Sequence, residues 1–254
     1  MRIVLIGAGR LATNLGKALR KAGHVIAAVY SQQRANAEAL TSIIGGFATD
    51  NLVTLPLEAD AFIVSIKDAA LRERMPAMTL DREDQLFLHT AGSMPMSVFE
   101  GYADRYGVFY PMQSFSKERE VDFADIPIFV EGTDPAIRQL AESISQRVYS
   151  LSTEERKYLH LAAVFACNFA NHCYALSAGI LEQHGLPFDV MLPLIDETAR
   201  KVHEIHPRDA QTGPAVRYDE NVISMQSDLL QGLPQEIYNI LSRSIHETAL
   251  NSQL

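Results

Sequence analysis

The sequence predicts an α/β protein with a doubly wound, mostly parallel sheet in its N-terminal part and only helices in its C-terminal part. Two observations support this fold class. Over residues 1–150, short apolar runs alternate with helical patterns, which is typical of βαβ units and a parallel sheet. Over residues 151–254, helical patterns follow one another without a clear strand. We therefore expect two domains, divided near residue 150.

The individual elements follow from the spacing of apolar and turn-forming residues. Strands are predicted at residues 3–6, 25–30, 46–49, 61–66, 86–90, 107–110 and 126–131. Helices are predicted between them at residues 11–22, 35–42, 94–102 and 135–147. Ser152 and Glu155 have the spacing of a capping box, so a long helix is expected to begin there and to continue to Gln183. Further helices are predicted at residues 188–205, 219–231 and 234–250.

The composition predicts a cytoplasmic protein. No run of 18 apolar residues is present, so no transmembrane helix is expected. The net charge of −9 argues against nucleic acid or an anionic membrane as a partner. Cys167 and Cys173 lie six residues apart in one predicted helix and point to different faces, so we expect no disulfide.

A glycine turn follows the first predicted strand. Gly7, Gly9 and Ala12 match the pattern G-x-G-x-x-G/A in a strand–turn–helix context, which is typical of a Rossmann-type dinucleotide site. Gly7 allows the tight turn, Gly9 lets a pyrophosphate approach the backbone, and Ala12 lets the helix pack closely. The first 37 residues also contain no Asp or Glu. We predict nucleotide contacts from the whole turn, with a purely structural turn as the alternative: Gly7, Ala8, Gly9, Arg10, Leu11 and Ala12.

The end of the second predicted strand indicates NADP rather than NAD. An NAD site places Asp or Glu there, on the ribose hydroxyls, but residues 29–34 contain no carboxylate. Ser31 can donate a hydrogen bond to a 2′-phosphate and Arg34 can pair with it, while Arg10 could reach either phosphate group. The alternative is that Arg34 is only a solvated residue at the start of a helix.

Several further segments occur in a family-specific order, at residues 6–9, 30–31, 89–93, 110–115, 126–132, 160–168 and 212–219. Together they resemble the Rossmann-like proteins with a DUF2520 C-terminal domain, a group of NADP-dependent oxidoreductases similar to pyrroline-5-carboxylate reductase and ketopantoate reductase. The resemblance implies an NAD(P)-binding Rossmann domain, a helical domain for substrate and dimerisation like those of the 6-phosphogluconate dehydrogenase superfamily, and a homodimer. It supplies no substrate.

Three polar segments follow predicted strands, at residues 65–68, 89–93 and 110–114. Because ligands of doubly wound sheets bind beyond the carboxyl ends of the strands, nicotinamide and substrate are expected there. His89 could instead bond to the backbone, and Lys67 with Asp68 could form an ordinary solvated turn. Ser93 and Gln113 are candidate contacts, and the remaining predicted cofactor residues are Tyr30, Ser65, Ile66, Lys67, His89 and Ala91.

The long predicted helix combines an apolar segment with a few polar residues. Between residues 161 and 170 only Asn168 is clearly polar, which predicts a buried helix within a dimer core. His160, Asn168 and Asn171 have the spacing of one helix face, which would face a cleft or satisfy neighbouring helices. Related dehydrogenases carry Lys-x-x-x-Asn here, whereas this chain has Val164 at the lysine position. We therefore predict His160 as proton donor or orienter; Lys157 could lie on the same side of the helix but two turns farther from Asn168.

A turn at residues 212–219 contains the remaining candidate. Arg217 could clamp a substrate carboxylate, although a Gly-Pro turn is often only structural, and Asp219 is its partner or a helix cap. His203 and His206 are candidate metal ligands. However, Pro207 ends the helix, and no other Cys or His cluster has the spacing of a zinc site. We expect no metal.

These residues together predict an NADP-dependent oxidoreductase that reduces a small carbonyl or imine substrate between its two domains. The small molecule is the expected partner, with His160, Asn168 and Arg217 as the catalytic residues. The alternative is a non-catalytic regulatory protein that binds NADP.

Overall fold

The computed structural model describes residues 1–251 of the chain. It forms two compact units, Met1–Cys167 and Asn168–Leu254. The first unit contains the α/β part and also the first helix after the predicted boundary near residue 150. The second unit contains only helices among its described residues. The predicted fold class is confirmed.

The first unit is built on one sheet of eight strands in the order β3-β2-β1-β4-β5-β6-β7-β8. All neighbouring strands are parallel except β6 and β7, which are antiparallel. The last strand was not predicted, because three residues at an exposed sheet edge carry little pattern. The strands are β1 Arg2–Ile6, β2 Val25–Tyr30, β3 Phe47–Thr49, β4 Ala61–Val64, β5 Leu86–His89, β6 Arg105–Pro111, β7 Ile128–Glu131 and β8 Val148–Ser150.

Five α-helices belong to the first unit: α1 Arg10–Lys21, α2 Arg34–Ile44, α3 Asp68–Thr79, α4 Pro135–Glu142 and α5 Thr153–Ala163. The sequence did not predict α3, because Pro76 lies inside it and argues against a helix. The predicted helix at residues 94–102 is wrong. Only a 3₁₀ turn, Met96–Phe99, forms there, since Pro95 precedes it and Gly101 with φ of +79° ends the segment.

The predicted long helix after Ser152 is present but not uniform. Its capping box forms as expected, with Ser152 and Glu155 each bonding to the other's backbone. A π-helical segment, Val164–Phe169, follows α5 and leads into α6 Ala170–Gln183. The other helices are α7 Leu192–Glu204, α8 Pro207–Ala210, α9 Pro214–Arg217, α10 Glu220–Asp228 and α11 Leu233–Asn251. No helix within residues 1–251 is both long and apolar enough to cross a membrane.

The sheet has an apolar core on each face. Alternate residues of β1 point to opposite faces, so Ile3 and Leu5 join one core while Val4 and Ile6 join the other. All four are fully or almost fully buried. Burial on both faces explains why this strand reads as a continuous apolar run, as expected for a central parallel strand.

A buried ion pair attaches α5 to the sheet. The guanidinium of Arg156 is 1% exposed and contacts the carboxylate of Glu131 at the end of β7. It also donates to the carbonyl oxygen of Met94 at 2.5 Å. Glu131 accepts two further hydrogen bonds, of 2.9 Å, from the backbone and hydroxyl of Thr153. The first turn of α5 is therefore held against both β7 and the segment after β5.

Removing Arg156 should destabilise the first unit strongly. Arg156→Met leaves the carboxylate of Glu131 without its charged partner, so we expect a loss of about 3–5 kcal/mol in urea unfolding. The control is Arg138→Met, which breaks an exposed pair with Glu142 and should cost less than about 1 kcal/mol. Equal losses in the two variants would contradict the assigned role of Arg156.

Candidate cofactor and active site

The turn after β1 requires glycine at its first position. Gly7 has φ of +127°, and its N–H donates to the carbonyl oxygen of Tyr30 at 2.8 Å. A Cβ atom at Gly7 would lie 2.2 Å from the carbonyl oxygen of Ser65, closer than any real contact. The chain thus passes between the ends of β2 and β4 at a distance that only glycine permits.

The next turn leaves the start of α1 open. Gly9 is the N-cap, no side chain caps the helix, and the first turn contains no acidic residue. A Cβ built on Gly9 has no heavy atom within 4 Å, so space is free above this backbone. Ala12 is fully buried and lets α1 pack closely on the core. The free N–H groups and the helix dipole make this terminus suitable for a phosphate group.

A cavity of about 590 Å³ lies beyond the carboxyl ends of β1, β2 and β4, where the strand order reverses. This is the position at which doubly wound sheets bind their ligands. Ten of the fourteen predicted cofactor residues line it: Gly7, Ala8, Gly9, Arg10, Leu11, Tyr30, Ser31, Ser65, Ile66 and Lys67.

The charge of the cavity is strongly one-sided. Arg10, Lys67, Arg74 and Lys117 line it, and none of the described lining residues is Asp or Glu. Several cations around a helix N-terminus form a site for a ligand with several negative charges. The absence of a carboxylate after β2 in the sequence therefore agrees with the cationic lining of the whole cavity.

Five lining residues were not predicted: Gln32, Asn36, Ala70, Arg74 and Lys117. Ala70 and Arg74 belong to α3, so the residues were missed together with the helix. Lys117 lies in the segment after β6, far in sequence from the other residues of the cavity, and no local sequence pattern indicates its role. Asn36 could have been found, because it lies in the first turn of α2 directly after the candidate residues of β2.

Arg34 lies outside the cavity lining. Its guanidinium pairs with the carboxylate of Glu38 one turn along α2, at 2.8 Å, and both side chains are more than half exposed. The hydrogen bond and charge of Glu38 raise the pKa of Arg34. This arrangement matches the alternative reading of Arg34 as a solvated residue at the start of a helix.

His89 is placed in the core rather than on the cavity. Its side chain is fully buried, stacks against the ring of Phe99 at 5.8 Å, and accepts a hydrogen bond from the N–H of Ala91 at 3.2 Å. Burial, together with the smaller effect of the positive charge of Arg156, lowers the pKa of His89 to about 4. The ring is therefore neutral at neutral pH and does not serve as a proton donor there.

A second histidine lies at the carboxyl edge of the sheet in a different environment. His160, in α5, is half-buried, and its Nδ1 lies 3.0 Å from the hydroxyl oxygen of Tyr110 at the end of β6. Its ring packs on Gly92, where a Cβ atom would lie 2.6 Å from Nδ1. Burial raises the pKa of Tyr110, so its hydroxyl keeps its proton at neutral pH. Tyr110 and Gly92 together fix the position of the imidazole.

The imidazole of His160 keeps one nitrogen available. Within residues 1–251, only Nδ1 of His160 has a hydrogen-bond partner. Nearby, the hydroxyl of Ser93 donates to the carboxylate of Asp68 at 2.6 Å, which connects the segments after β5 and β4. The predicted convergence of polar segments at this edge is thus observed for three strands, β4, β5 and β6. A ligand at this edge could receive a proton from Nε2.

The other two predicted catalytic residues belong to the second unit. Asn168 is exposed in the π-helical segment, and Arg217 is the last residue of α9. Asp219 caps α10 by accepting from the N–H of Val222, which agrees with one of its two predicted roles. The helix-face argument that grouped His160 with Asn168 assumes α-helical spacing, which the π segment interrupts. Their joint action stays a prediction.

The described residues contain no group of three or more His, Cys, Asp or Glu side chains arranged to hold a metal ion. His206 instead accepts a hydrogen bond from the N–H of Arg208 at the start of α8. The polar groups found at the carboxyl edge of the sheet include those of the cationic cavity and the His160–Tyr110 pair.

Two family models match the chain. A Rossmann-like domain covers residues 1–111, and a domain of unknown function, DUF2520, covers residues 126–245. A structure from Bacteroides fragilis, described as a candidate NADP oxidoreductase, is 53% identical, covers 97% of this chain and 98% of its own, and has a TM-score of 0.93. No curated protein sequence matches the chain significantly.

More distant structures share the fold alone. A Thermotoga maritima protein is 23% identical with a TM-score of 0.80, over 97% of this chain and 99% of its own. An imine reductase from Myxococcus stipitatus, in complex with NADP⁺, is 14% identical with a TM-score of 0.69, over 99% and 94%.

Fold and cavity define a protein of the Rossmann-like class with a glycine turn after its first strand. More particularly, the chain belongs to the family that joins a Rossmann-like domain to a DUF2520 domain, together with the Bacteroides fragilis protein.

The depressed pKa of His89 predicts a specific dependence of stability on pH. The unfolded chain takes up this proton below about pH 6.5 and the folded chain only below about pH 4, so acidification through this window favours unfolding. Between pH 7 and about pH 4.5 the His89 contribution to the free energy of unfolding should fall by about 2 kcal/mol. His89→Asn keeps an acceptor for Ala91 and does not titrate.

Urea unfolding of both proteins across this range measures the difference. The variant should lose less stability than the original protein on acidification. Parallel curves for the two proteins would show that His89 titrates normally when folded.

Proposed function

We propose that this protein is an NADP-dependent oxidoreductase that reduces a small carbonyl or imine compound. The observation that carries this proposal is the cationic, acid-free cavity at the N-terminus of α1, with the His160–Tyr110 pair at the same edge of the sheet. The similarity to the Bacteroides fragilis protein supports the oxidoreductase class. The fold neighbours include imine reductases, which is consistent with the substrate class.

The cavity fits the dinucleotide on steric and electrostatic grounds. Gly7 and Gly9 leave room above the backbone, and the first N–H groups of α1 would bond the pyrophosphate. Ser31 lies at the end of β2, where the adenosine ribose is expected, and Ser65 to Lys67 line the wall after β4. When bound, NADPH supplies the hydride, and the protein supplies orientation and a proton.

His160 is proposed as the proton donor. Reduction of a carbonyl or imine consumes one hydride at carbon and one proton at oxygen or nitrogen, so a positioned acid is needed. Protonated His160 would donate from Nε2 while Nδ1–H bonds the hydroxyl oxygen of Tyr110. The neutral, fully buried His89 does not compete for this role. Asn168 and Arg217 are proposed as substrate contacts, through an amide hydrogen bond and a carboxylate clamp.

The second candidate function is a non-catalytic regulatory protein that binds NADP. The departure from the lysine of related dehydrogenases favours it, because position 164 is Val. The His160–Tyr110 pair favours an enzyme, because a binding protein has no need for a positioned proton donor.

Replacing His160 separates catalysis from binding. His160→Ala should lower kcat by about a hundredfold or more, since it removes the proposed acid, and should leave the Kd for NADPH within about twofold. Activity would be followed as NADPH oxidation against a panel of small carbonyl and imine compounds, and binding by titration calorimetry.

The matched control for His160→Ala is Lys157→Ala. Lys157 lies on the same helix, is about half exposed and pairs with Glu154, so its loss should change neither quantity. If Lys157→Ala is the inactive variant, the lysine is the donor and His160 is not. NADPH binding with no turnover of any compound in the panel would favour the regulatory function.

We propose in addition that two copies of the chain associate through the second unit. Of its described residues only Ala215, Ser227 and Ser242 are buried, which is far too little for a stable core. Large apolar side chains of this unit are exposed instead, among them Leu186 at 53%, Val190 at 54% and Leu194 at 63%. The predicted burial of the apolar helix segment is absent within one chain. A second copy, with the same apolar surface, would supply it.

Light scattering coupled to size exclusion tests this association. The protein should have the mass of a dimer, and Leu194→Asp should shift it to the monomer or lower its melting temperature, because a charge would enter the interface. The control is Val53→Asp, at a residue of the first unit that is 65% exposed, which should leave the mass unchanged. A monomeric mass for the unchanged protein across the accessible concentration range would refute the proposal.

A further inference from the structure

The cavity contains an arginine whose guanidinium lies against the end of β2. Arg74, in α3, donates a hydrogen bond to the hydroxyl of Tyr30, the last residue of that strand. The side chain of Tyr30 is 2% exposed and therefore firmly placed. Arg74 itself is half-buried and lines the cavity together with Ser31 and Asn36.

Among the described residues 1–251, the guanidinium of Arg74 has no hydrogen-bond partner besides Tyr30. Within residues 1–251, none of the ion pairs involves Arg74. A guanidinium has five N–H donors in a rigid fork, so several remain for a ligand. Arg34, by contrast, is occupied by Glu38 and lies outside the cavity lining. Of the two arginines near this strand end, only Arg74 is both inside the cavity and free of a carboxylate.

The position of Arg74 indicates which part of a bound dinucleotide would lie next to it. The pyrophosphate is expected at Gly7 to Leu11, at the start of α1, whereas the adenosine ribose is expected at the end of the second strand. We infer that Arg74, oriented by Tyr30, is the residue that binds the 2′-phosphate of NADP and sets the preference for NADP over NAD. This inference rests on the proposed function and replaces the role assigned to Arg34 from sequence.

Binding measurements on the full chain test this assignment without recourse to activity. Titration calorimetry would give the Kd for NADPH, NADH and adenosine 2′,5′-bisphosphate. Arg74→Gln should raise the Kd for NADPH and for the bisphosphate by about tenfold or more, since a charge-assisted pair is lost. The Kd for NADH should change by less than about twofold. Arg74→Lys keeps the positive charge but not the forked guanidinium. Its Kd for NADPH should therefore lie between those of the unchanged protein and of Arg74→Gln.

Two matched controls carry the same charge change. Arg72→Gln alters an exposed arginine of the same helix that is not part of the cavity lining, and Arg34→Gln alters the arginine paired with Glu38. Both should bind all three ligands as the unchanged protein does. Circular dichroism of each variant would confirm that the fold is retained.

Three results would overturn the assignment. An equal loss of affinity for NADPH and NADH in Arg74→Gln would mean that Arg74 contacts a part of the molecule that both nucleotides share. A selective loss in Arg34→Gln, with Arg74→Gln unaffected, would return the role to Arg34. Failure of the unchanged protein to bind either nucleotide would refute the proposed function itself, whereas the first two results leave it intact.

Discussion

The pair of Arg156 and Glu131 is the constraint on which the arrangement of residues at the carboxyl edge of the sheet depends. It joins three segments distant in sequence, since Arg156 lies in α5, Glu131 ends β7 and the carbonyl of Met94 follows β5. A buried guanidinium is costly when its carboxylate partner is displaced, so this contact tolerates little movement. His160 lies one helical turn beyond Arg156. The position of its imidazole against Tyr110 and Gly92 is therefore a consequence of the ion pair.

The nucleotide cavity depends on a different constraint, the close approach of backbone. Gly7 touches the ends of two strands, and this contact brings the start of α1 to the point where the strand order reverses. The same geometry gathers cations from separate elements, Arg10 from α1 and Arg74 from α3. The local sequence determines the glycine turn, whereas the electrostatic character of the cavity is a property of the assembled sheet.

The sequence predicted those parts of the fold and site that are encoded locally. The βαβ alternation, the glycine turn and the capping box at Ser152 each depend on residues within a few positions of one another. The cavity residues on α3 were not predicted, because Pro76 argues against a helix there. Lys117 was not predicted, because only the folding of the sheet brings it to the cavity. The pairing of Arg34 with Glu38 follows an i,i+4 spacing that was visible in the sequence and not weighed.

Burial distinguishes the two histidines near the carboxyl edge of the sheet. From sequence, His160 was predicted as the proton donor and His89 as a cofactor contact, with a backbone-bonded histidine as the alternative for His89. The structure encloses His89 beside Phe99 with the charge of Arg156 nearby, and both effects disfavour the imidazolium. His160 is half-buried and has a phenol partner on Nδ1, whereas its Nε2 has no hydrogen-bond partner within residues 1–251. Burial, with the nearby charge of Arg156, thus keeps His89 neutral, while the ion pair of the same arginine holds the helix that carries His160.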